Sequence, residues 1–251
     1  MPNNRPYVLS IAGFDPSGGA GVLADIKTFE ANKVMGLGVC TSITIQNESE
    51  FDSLTWVSVE EIKKQIHILT KKYAISFVKI GLIESFDVLV EIIECLKAEN
   101  SLIKIIWDPI LKASAGFDFH RHIETKLLNQ ILNEIYLITP NLPEAQILFQ
   151  DIHIKKYLTE NHLNTHVLLK GGHSNDDFAT DILFSQLQTI EIVSPKLPYT
   201  AKHGSGCVLS SAITAHLAKG ETLENACRNA KKYIKKYLQS TDTLLGIHRI
   251  D

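Results

Sequence analysis

The sequence has no C-x-x-C pair and only four cysteines, Cys40, Cys95, Cys207 and Cys227, scattered along the chain. That spacing excludes a disulfide framework and the usual zinc sites, and it suits a reduced cytoplasm. No apolar run approaches the ~20 residues of a membrane-spanning helix. The first residues, Met-Pro-Asn-Asn-Arg-Pro, run straight into a strand-like stretch without the apolar core of a secretory signal. Charge of either sign is nearly balanced, and a net charge of −3 supplies no electrostatic footprint for nucleic acid. Low-complexity tracts, internal repeats and a clear linker are also missing. At ~100–200 residues per domain, the chain reads as one domain over residues 1–251.

What is present is an alternation. Residues 7–12 (YVLSIA) are a short apolar run that ends in glycine and read as a buried strand. Residues 21–31 then carry Val22, Ile26 and Phe29 at helical spacing. A β-branched run at 39–45 precedes an amphipathic helix over 60–73, with Ile62, Ile66 and Leu69 on one face. Further strands are expected at 75–80, 103–107, 135–139 and 167–170, with a helix over 85–98. Residues 178–184 and 189–193 read as a hairpin, and the C-terminal part as a glycine-rich turn with two helices. This order predicts an α/β fold with a mostly parallel central sheet flanked by helices. In such sheets ligands sit beyond the carboxyl ends of the strands. The loops at Gly13, Gly81, Asp108, Thr139 and Gly171 are therefore expected to converge on one rim.

Four of these loops carry candidate chemistry. The first, GFDPSGGAG at 13–21, lets backbone approach a ligand or simply turns the chain. It is not a Walker A loop, because Gly19 and Ala20 stand where that motif has lysine and Ser/Thr. The second, His203-Gly204-Ser205-Gly206-Cys207, opens a helix whose first amides form a nest for anionic oxygens. The field of a helix start is expected to lower the thiol pKa of Cys207. A thiol hydrolase with Cys207 as nucleophile and His203 as base competes with that reading, as does a plain buried cysteine. The third is Thr139-Pro140-Asn141-Leu142-Pro143-Glu144, which has the form of a capping box. Asn141 and Glu144 also suit a hydrated magnesium ion beside a nucleotide phosphate. The fourth, Lys170-Gly171-Gly172-His173, puts a lysine at a strand end, as a point charge for phosphate oxygens. Asp108 adds a carboxylate to the same rim.

Taken together, the segments IAGFDPSGGAGVLADIKTF, IQNE, VKIGLI, WDPIL, LITPNLPEA, LLKGGH and HGSGCVLSSAI resemble one family. It is that of the hydroxymethylpyrimidine/phosphomethylpyrimidine kinases of thiamine biosynthesis, in the ribokinase-like superfamily. The resemblance implies a ribokinase-like sandwich and two ATP-dependent reactions. These are phosphorylation of 4-amino-5-hydroxymethyl-2-methylpyrimidine and then of its monophosphate, with ATP and Mg²⁺ as cofactors. It puts Gly13, Ala20, Thr44, Gln46, Leu82 and Ile110 in the pyrimidine pocket, with Gln46 on the aminopyrimidine edge, and adds Asp25 to the substrate-binding set. Asn141 and Glu144 match the family's magnesium and phosphate motif, and Lys170 its phosphate lysine. Gly204, Ser205 and Gly206 match the anion hole. Cys207 stands where related sugar kinases carry an aspartate base.

The chain departs from the family pattern at Phe14, usually Ser or Thr, at Leu82, usually Met, and at Val208, usually Thr. A loop lysine common in the family is displaced here to Lys112, ahead of Ser114-Ala115-Gly116. A pyridoxal kinase of the same lineage and a non-catalytic ligand sensor are the remaining alternatives. Gln46-Asn47 argues for the pyrimidine kinase, and the intact site motifs argue for catalysis. Neither nucleic acid nor membrane is an expected partner, and a homodimer is implied only by analogy.

Overall fold

The computed structural model describes residues 5–112, 119, 124–161, 163–172, 178–186, 188–195 and 202–249. Its elements run β1 (Tyr7–Phe14), α1 (Gly21–Ala31), β2 (Met35–Gln46), β3 (Phe51–Trp56), α2 (Val59–Thr70) and β4 (Ile75–Ile80). They continue with α3 (Phe86–Glu99), β5 (Lys104–Trp107), α4 (Thr125–Glu134), β6 (Leu137–Ile138), α5 (Leu142–Phe149) and α6 (Ile154–Glu160). The last are β7 (His166–Leu169), β8 (Asp181–Phe184), β9 (Thr189–Ile192), α7 (Ser205–Ala218) and α8 (Leu223–Leu238). His173 and Ser114-Ala115-Gly116, singled out in the sequence, lie outside the described residues.

The strands form one sheet in the order β3-β2-β1-β4-β5-β6-β7-β8-β9. From β2 through β7 every pairing is parallel. Only the margins are antiparallel: β3 on β2, and the β8–β9 hairpin on β7.

Strand residues alternate between two helical layers, as the two-residue period of a strand requires. Ile105 and Trp107 of β5 pack into one core, and Ile106 between them packs into the other. Val167 and Leu169 of β7 divide from Leu168 in the same way. The first core holds Ile62 and Ile66 of α2, Leu89 and Ile92 of α3, Leu128 of α4, Leu148 of α5 and Leu158 of α6. The opposite face is covered by α1, α7 and α8. Because both faces are covered, the central strands are largely apolar, with Ser10 of β1 and Lys79 of β4 as buried exceptions, and they appear in the sequence as near-continuous runs. Each Leu, Ile or Val fully buried in this way contributes about 1.5–3 kcal/mol. Among the described residues no helix is long and apolar enough to cross a membrane.

Parallel neighbours end on the same edge. Gly13, Gly81, Asp108, Thr139 and Lys170 therefore follow β1, β4, β5, β6 and β7 on one rim, as expected. α7 is buried on almost every side and starts at that rim. A cleft of about 430 Å³ opens at the other edge, lined by Tyr7, Phe77, Lys104, Tyr136 and Thr222. None of the rim residues lines it.

Candidate active site

The rim is organised around Lys170. Its backbone continues β7 by bridging to Asn141, with its amide donating to the Pro140 carbonyl at 2.9 Å. The ammonium then reaches Asp108 Oδ1 at 2.9 Å and Glu144 Oε2 at 3.6 Å. Thr139 and Ser210 donate to the two oxygens of Asp108, each at 3.1 Å. Burial alone would push the Asp108 carboxyl up, but the ammoniums of Lys170 and Lys79 outweigh it and hold it below the usual range. Glu144 goes the other way: burial raises it, and the longer contact to Lys170 does not compensate. Lys170 stays firmly protonated between the two carboxylates.

Asn141 and Glu144 form the capping box foreseen in the sequence. Glu144 N–H donates to Asn141 Oδ1 at 2.9 Å, and Asn141 N–H donates to Glu144 Oε2 at 2.7 Å. The cap and the site thus share one carboxylate. Asn141 uses its oxygen in the cap and so orients Glu144.

The two glycine-rich loops differ in what they do with their amides. In the first, Asp15 accepts from Ser17 N–H at 2.9 Å, Ala20 N–H at 2.8 Å and His203 Nε2 at 2.8 Å, while Ser17 Oγ accepts from Gly19 N–H at 3.2 Å. That loop turns the amides of Ser17, Gly18, Gly19 and Ala20 inward, onto its own Asp15 and Ser17. The second starts α7, and the first amides of a helix have no intrahelical acceptor. Gly204 caps it in the left-handed region, at φ 68°, where a side chain would come within 2.1 Å of the Gly19 carbonyl oxygen. The anion-hole turn therefore packs directly on the first loop. At Gly206 a Cβ would lie 3.4 Å from Lys170 Nζ and 4.0 Å from Asp108 Oδ2. Ser205 N–H donates to the Lys202 carbonyl at 3.2 Å, and it is Gly206, one residue further into the first turn, that shares its space with the fixed ammonium, an arrangement suited to phosphate oxygens.

Two expectations about this turn are corrected. Cys207 is buried, and that burial pushes its thiol up to about 11, against the pull of Lys79 and an amide contact from Gly21. Desolvation outweighs the helix-start field, so the thiol is protonated at neutral pH. His203 gives Nε2 to Asp15, while its buried Nδ1 has no partner in the structure. It is tied to the first loop and does not serve Cys207, which removes the thiol hydrolase dyad.

The residues assigned to the pyrimidine pocket gather at the ends of β1, β2 and β4. A Cβ on Gly13 would lie 3.3 Å from Leu82, and one on Gly81 3.6 Å from Ile110. Thr44 Oγ1 donates to the Phe14 carbonyl at 2.8 Å and accepts from Gln46 Nε2 at 2.9 Å. That relay fixes the Gln46 amide with its oxygen turned away from Thr44. Ala20 lies against Gly204, between the two groups of residues. Asp25 does not join them. It is wholly enclosed, and both of its oxygens are committed to Lys79, Ser10 and Ser211. Enclosure leaves it no surface for a substrate contact.

Asp15, Lys79, Ser210 and Ser211 belong to this region and were missed as site residues, and His203, read only as a possible base, ties the two loops together. A lysine within the otherwise apolar run ISFVKI was the readable signal for Lys79, since buried lysines are rare unless paired.

Among the described residues no group of three His, Cys, Asp or Glu side chains stands ready for a metal. The donor set nevertheless fits magnesium, which takes few carboxylates and keeps several waters. Glu144 uses Oε2 both for the cap and for the contact to Lys170, so its second oxygen, Oε1, is the one turned to a cation, and Asp108 lies across Lys170 from it.

The sequence pattern of the phosphomethylpyrimidine kinase family matches residues 15–249. A hydroxymethylpyrimidine/phosphomethylpyrimidine kinase of Aquifex aeolicus is 31% identical over 244 residues, 94% of this chain and 95% of the relative. One from Staphylococcus aureus is 37% identical over 246 residues, 93% and 88% of the two chains. The solved phosphomethylpyrimidine kinase of Clostridium difficile is 32% identical, with a TM-score of 0.76 over 92% of this chain and 99% of its own. A Bacillus subtilis pyridoxal kinase solved with ADP gives a TM-score of 0.82 over 98% of both chains at 24% identity, a likeness of fold alone. The chain belongs to the phosphomethylpyrimidine kinase family.

Proposed function

We propose that this protein transfers the γ-phosphoryl group of ATP to the hydroxymethyl oxygen of 4-amino-5-hydroxymethyl-2-methylpyrimidine, and then phosphorylates the monophosphate so formed. The observation that carries the reading is the Lys170 ammonium lying beside Gly206 in the first turn of α7. Phosphoryl transfer asks the protein mainly for positioning and charge neutralisation, and these two elements supply both. Lys170 and the helix-start amides hold the phosphate oxygens. Glu144, oriented by Asn141, would hold a hydrated Mg²⁺, whose contribution when bound is to neutralise charge on the nucleotide phosphates.

Across the rim, the relay from Phe14 through Thr44 leaves the Gln46 oxygen to accept from an exocyclic amine. An aminopyrimidine offers that donor. Gly13, Leu82 and Ile110 supply the surrounding wall. In the first transfer the hydroxymethyl oxygen bonds to the γ-phosphorus, the bridging bond to ADP breaks, and the hydroxyl proton passes late in the step to an oxygen of the transferred phosphoryl group and from there to water. A protonated Cys207 does not take that proton at rest, and a loose transition state makes little demand for its early removal. In the second transfer the acceptor oxygen is already ionised. Its difficulty is repulsion between two anions, which Lys170 and the helix start reduce.

Pyridoxal is the competing acceptor, because it too is a planar heteroaromatic bearing a hydroxymethyl group. The oriented amide of Gln46 favours the aminopyrimidine. The proposal extends to a homodimer by family likeness, and to a reduced cytoplasm, which four free thiols suit. ADP release with the hydroxymethylpyrimidine, its monophosphate and pyridoxal, measured side by side, tests the assignment. Turnover with the first two is expected. Turnover with pyridoxal alone, or with none, overturns it.

A further inference from the structure

Beneath the site lies a second lysine–aspartate pair that touches no ligand position. Lys79, in the middle of the sheet on β4, and Asp25, on α1, are both completely enclosed. Lys79 Nζ donates to both Asp25 oxygens, at 3.0 and 2.8 Å. The same carboxylate accepts from Ser10 Oγ of β1 at 2.5 Å and from Ser211 Oγ of α7 at 2.6 Å. One aspartate therefore ties together β1, β4, α1 and α7.

Stability does not explain such a pair. Removing two charges from water costs several kcal/mol per ion, and well-packed apolar residues usually do as well or better. Its position is more informative. Ser211 lies one helical turn beyond Cys207 on the same face. Its neighbour Ser210 is bonded to Asp108, the partner of Lys170. At the other end, Lys79 Nζ comes within 2.9 Å of where a Gly81 side chain would begin, next to Leu82. The network thus touches the helix that carries the phosphate-binding amides and the turn that lines the acceptor pocket. Lys79 also acts electrostatically on Asp108 and Cys207.

We propose that Lys79 and Asp25 are positioning residues for phosphoryl transfer: through Ser211 they hold the start of α7, and with it the 204–207 turn, at a fixed distance from the acceptor pocket at Gly13 and Leu82. The inference rests on the kinase reading for its kinetic consequence, but the clamp itself does not. Small misplacements of reacting groups cost about 10²-fold in rate, so the pair acts on kcat and leaves ground-state binding alone.

The test replaces the pair together, as K79M/D25N, so that no lone charge is buried. A folded double variant is expected to bind ATP and the pyrimidine nearly as the wild type does, with kcat reduced about 10²-fold. Ser211→Ala should lower kcat with little change in KM, and Ser211→Thr, which keeps the hydroxyl, should restore it. Peptide-level alkylation of Cys207 by iodoacetamide reads the clamp without reference to activity. It should speed up in K79M/D25N, where the losses of the Lys79 and Asp25 charges act on the thiol in opposite directions, so that a gain reports access. Wild-type kcat in the folded double variant, or loss of kcat only in step with unfolding, would overturn the proposal. If the double variant does not fold, the Ser211 pair decides: an unchanged kcat in Ser211→Ala refutes the clamp. If the wild type does not phosphorylate the pyrimidine at all, the kinase reading falls, and unchanged Cys207 alkylation is then what would refute the clamp.

Discussion

Two lysine–aspartate pairs with nearly equal N–O distances sit in this molecule, Lys79 bonding both oxygens of Asp25 and Lys170 one oxygen of Asp108, and depth is what most separates them. Lys170–Asp108 spans 2.9 Å at the strand ends, with the lysine side chain 12% exposed. Lys79–Asp25 spans 2.8 Å one layer below and has no exposure. On the proposed kinase reading, the residual opening at Lys170 is what would let a ligand's phosphate compete for the ammonium. The sealed pair has all four of its interactions inside the protein, so it can transmit position but cannot bind. Charge and distance alone do not distinguish a binding lysine from a positioning one. Access does.

The largest effect should come from breaking the open pair. Lys170→Met removes a preorganised charge from the transferring phosphoryl group, and loss of one such group typically costs about 10²–10³-fold in kcat. It also strands Asp108, and breaking a buried pair from one side costs about 3–5 kcal/mol, less here because the lysine is partly exposed. Single-turnover transfer and thermal melts with and without Mg-ATP measure the two effects separately. If the rate loss vanishes in the population that remains folded, Lys170 serves stability alone and neither holds the phosphoryl group nor positions it.

Glu144→Gln sharpens the comparison from the carboxylate side. The capping geometry survives, while the charge that magnesium would use is lost. Lower activity and a higher magnesium requirement are expected, read by titrating Mg²⁺ at fixed ATP. Burial raises the Glu144 carboxyl, so in the wild type the magnesium requirement should climb as pH falls, starting above the ordinary carboxylate range. The variant should lack that dependence. A change confined to thermal stability would reduce Glu144 to its cap.

Cys207→Ala tests the region where the two networks meet. The thiol keeps its proton up to about pH 11, so comparable and modest losses in both phosphorylations are expected, with the pH–rate profile unchanged in shape between pH 6 and 9. General-base catalysis is typically worth about 10²–10⁴-fold, and a loss of that size confined to the hydroxymethyl step would restore Cys207 as the base. The folded chain holds this proton to higher pH than the unfolded one. The linked stability is therefore present below the usual thiol range and drains away as pH rises through about 11.

The smallest effect belongs to Gln46→Ala, which removes a neutral hydrogen bond worth about 0.5–1.5 kcal/mol. Calorimetry should show weaker pyrimidine binding and unchanged ATP binding. Equal weakening of both would move Gln46 out of the acceptor pocket.

Most of the fold was legible because apolar periodicity reports burial directly. The β1–α1 unit and the β8–β9 hairpin lie close to where the pattern put them. β3 was silent, since FDSLTW has no buried position and is a strand only by pairing with β2. α4 did carry Leu128, Ile131 and Leu132 at helical spacing, a signal present but short. The glycine turns and Lys170 were readable because a strand end followed by glycine announces a rim. What the sequence hid was partnership across long separations. Lys79 finds Asp25 54 residues away, and His203 finds Asp15 188 residues away. Neither distance leaves a local trace. The Cys207 thiol was misjudged for the same reason: its helix start is visible in the sequence, but the burial that overrides it is not.

The kinase assignment is tested most directly by following phosphorus. ³¹P NMR of the protein with Mg-ATP and 4-amino-5-hydroxymethyl-2-methylpyrimidine should show a monoester resonance growing with ADP, then giving way to the paired resonances of a pyrophosphate ester. Release of inorganic phosphate without a phosphoester, or no change in ATP at all, would contradict it.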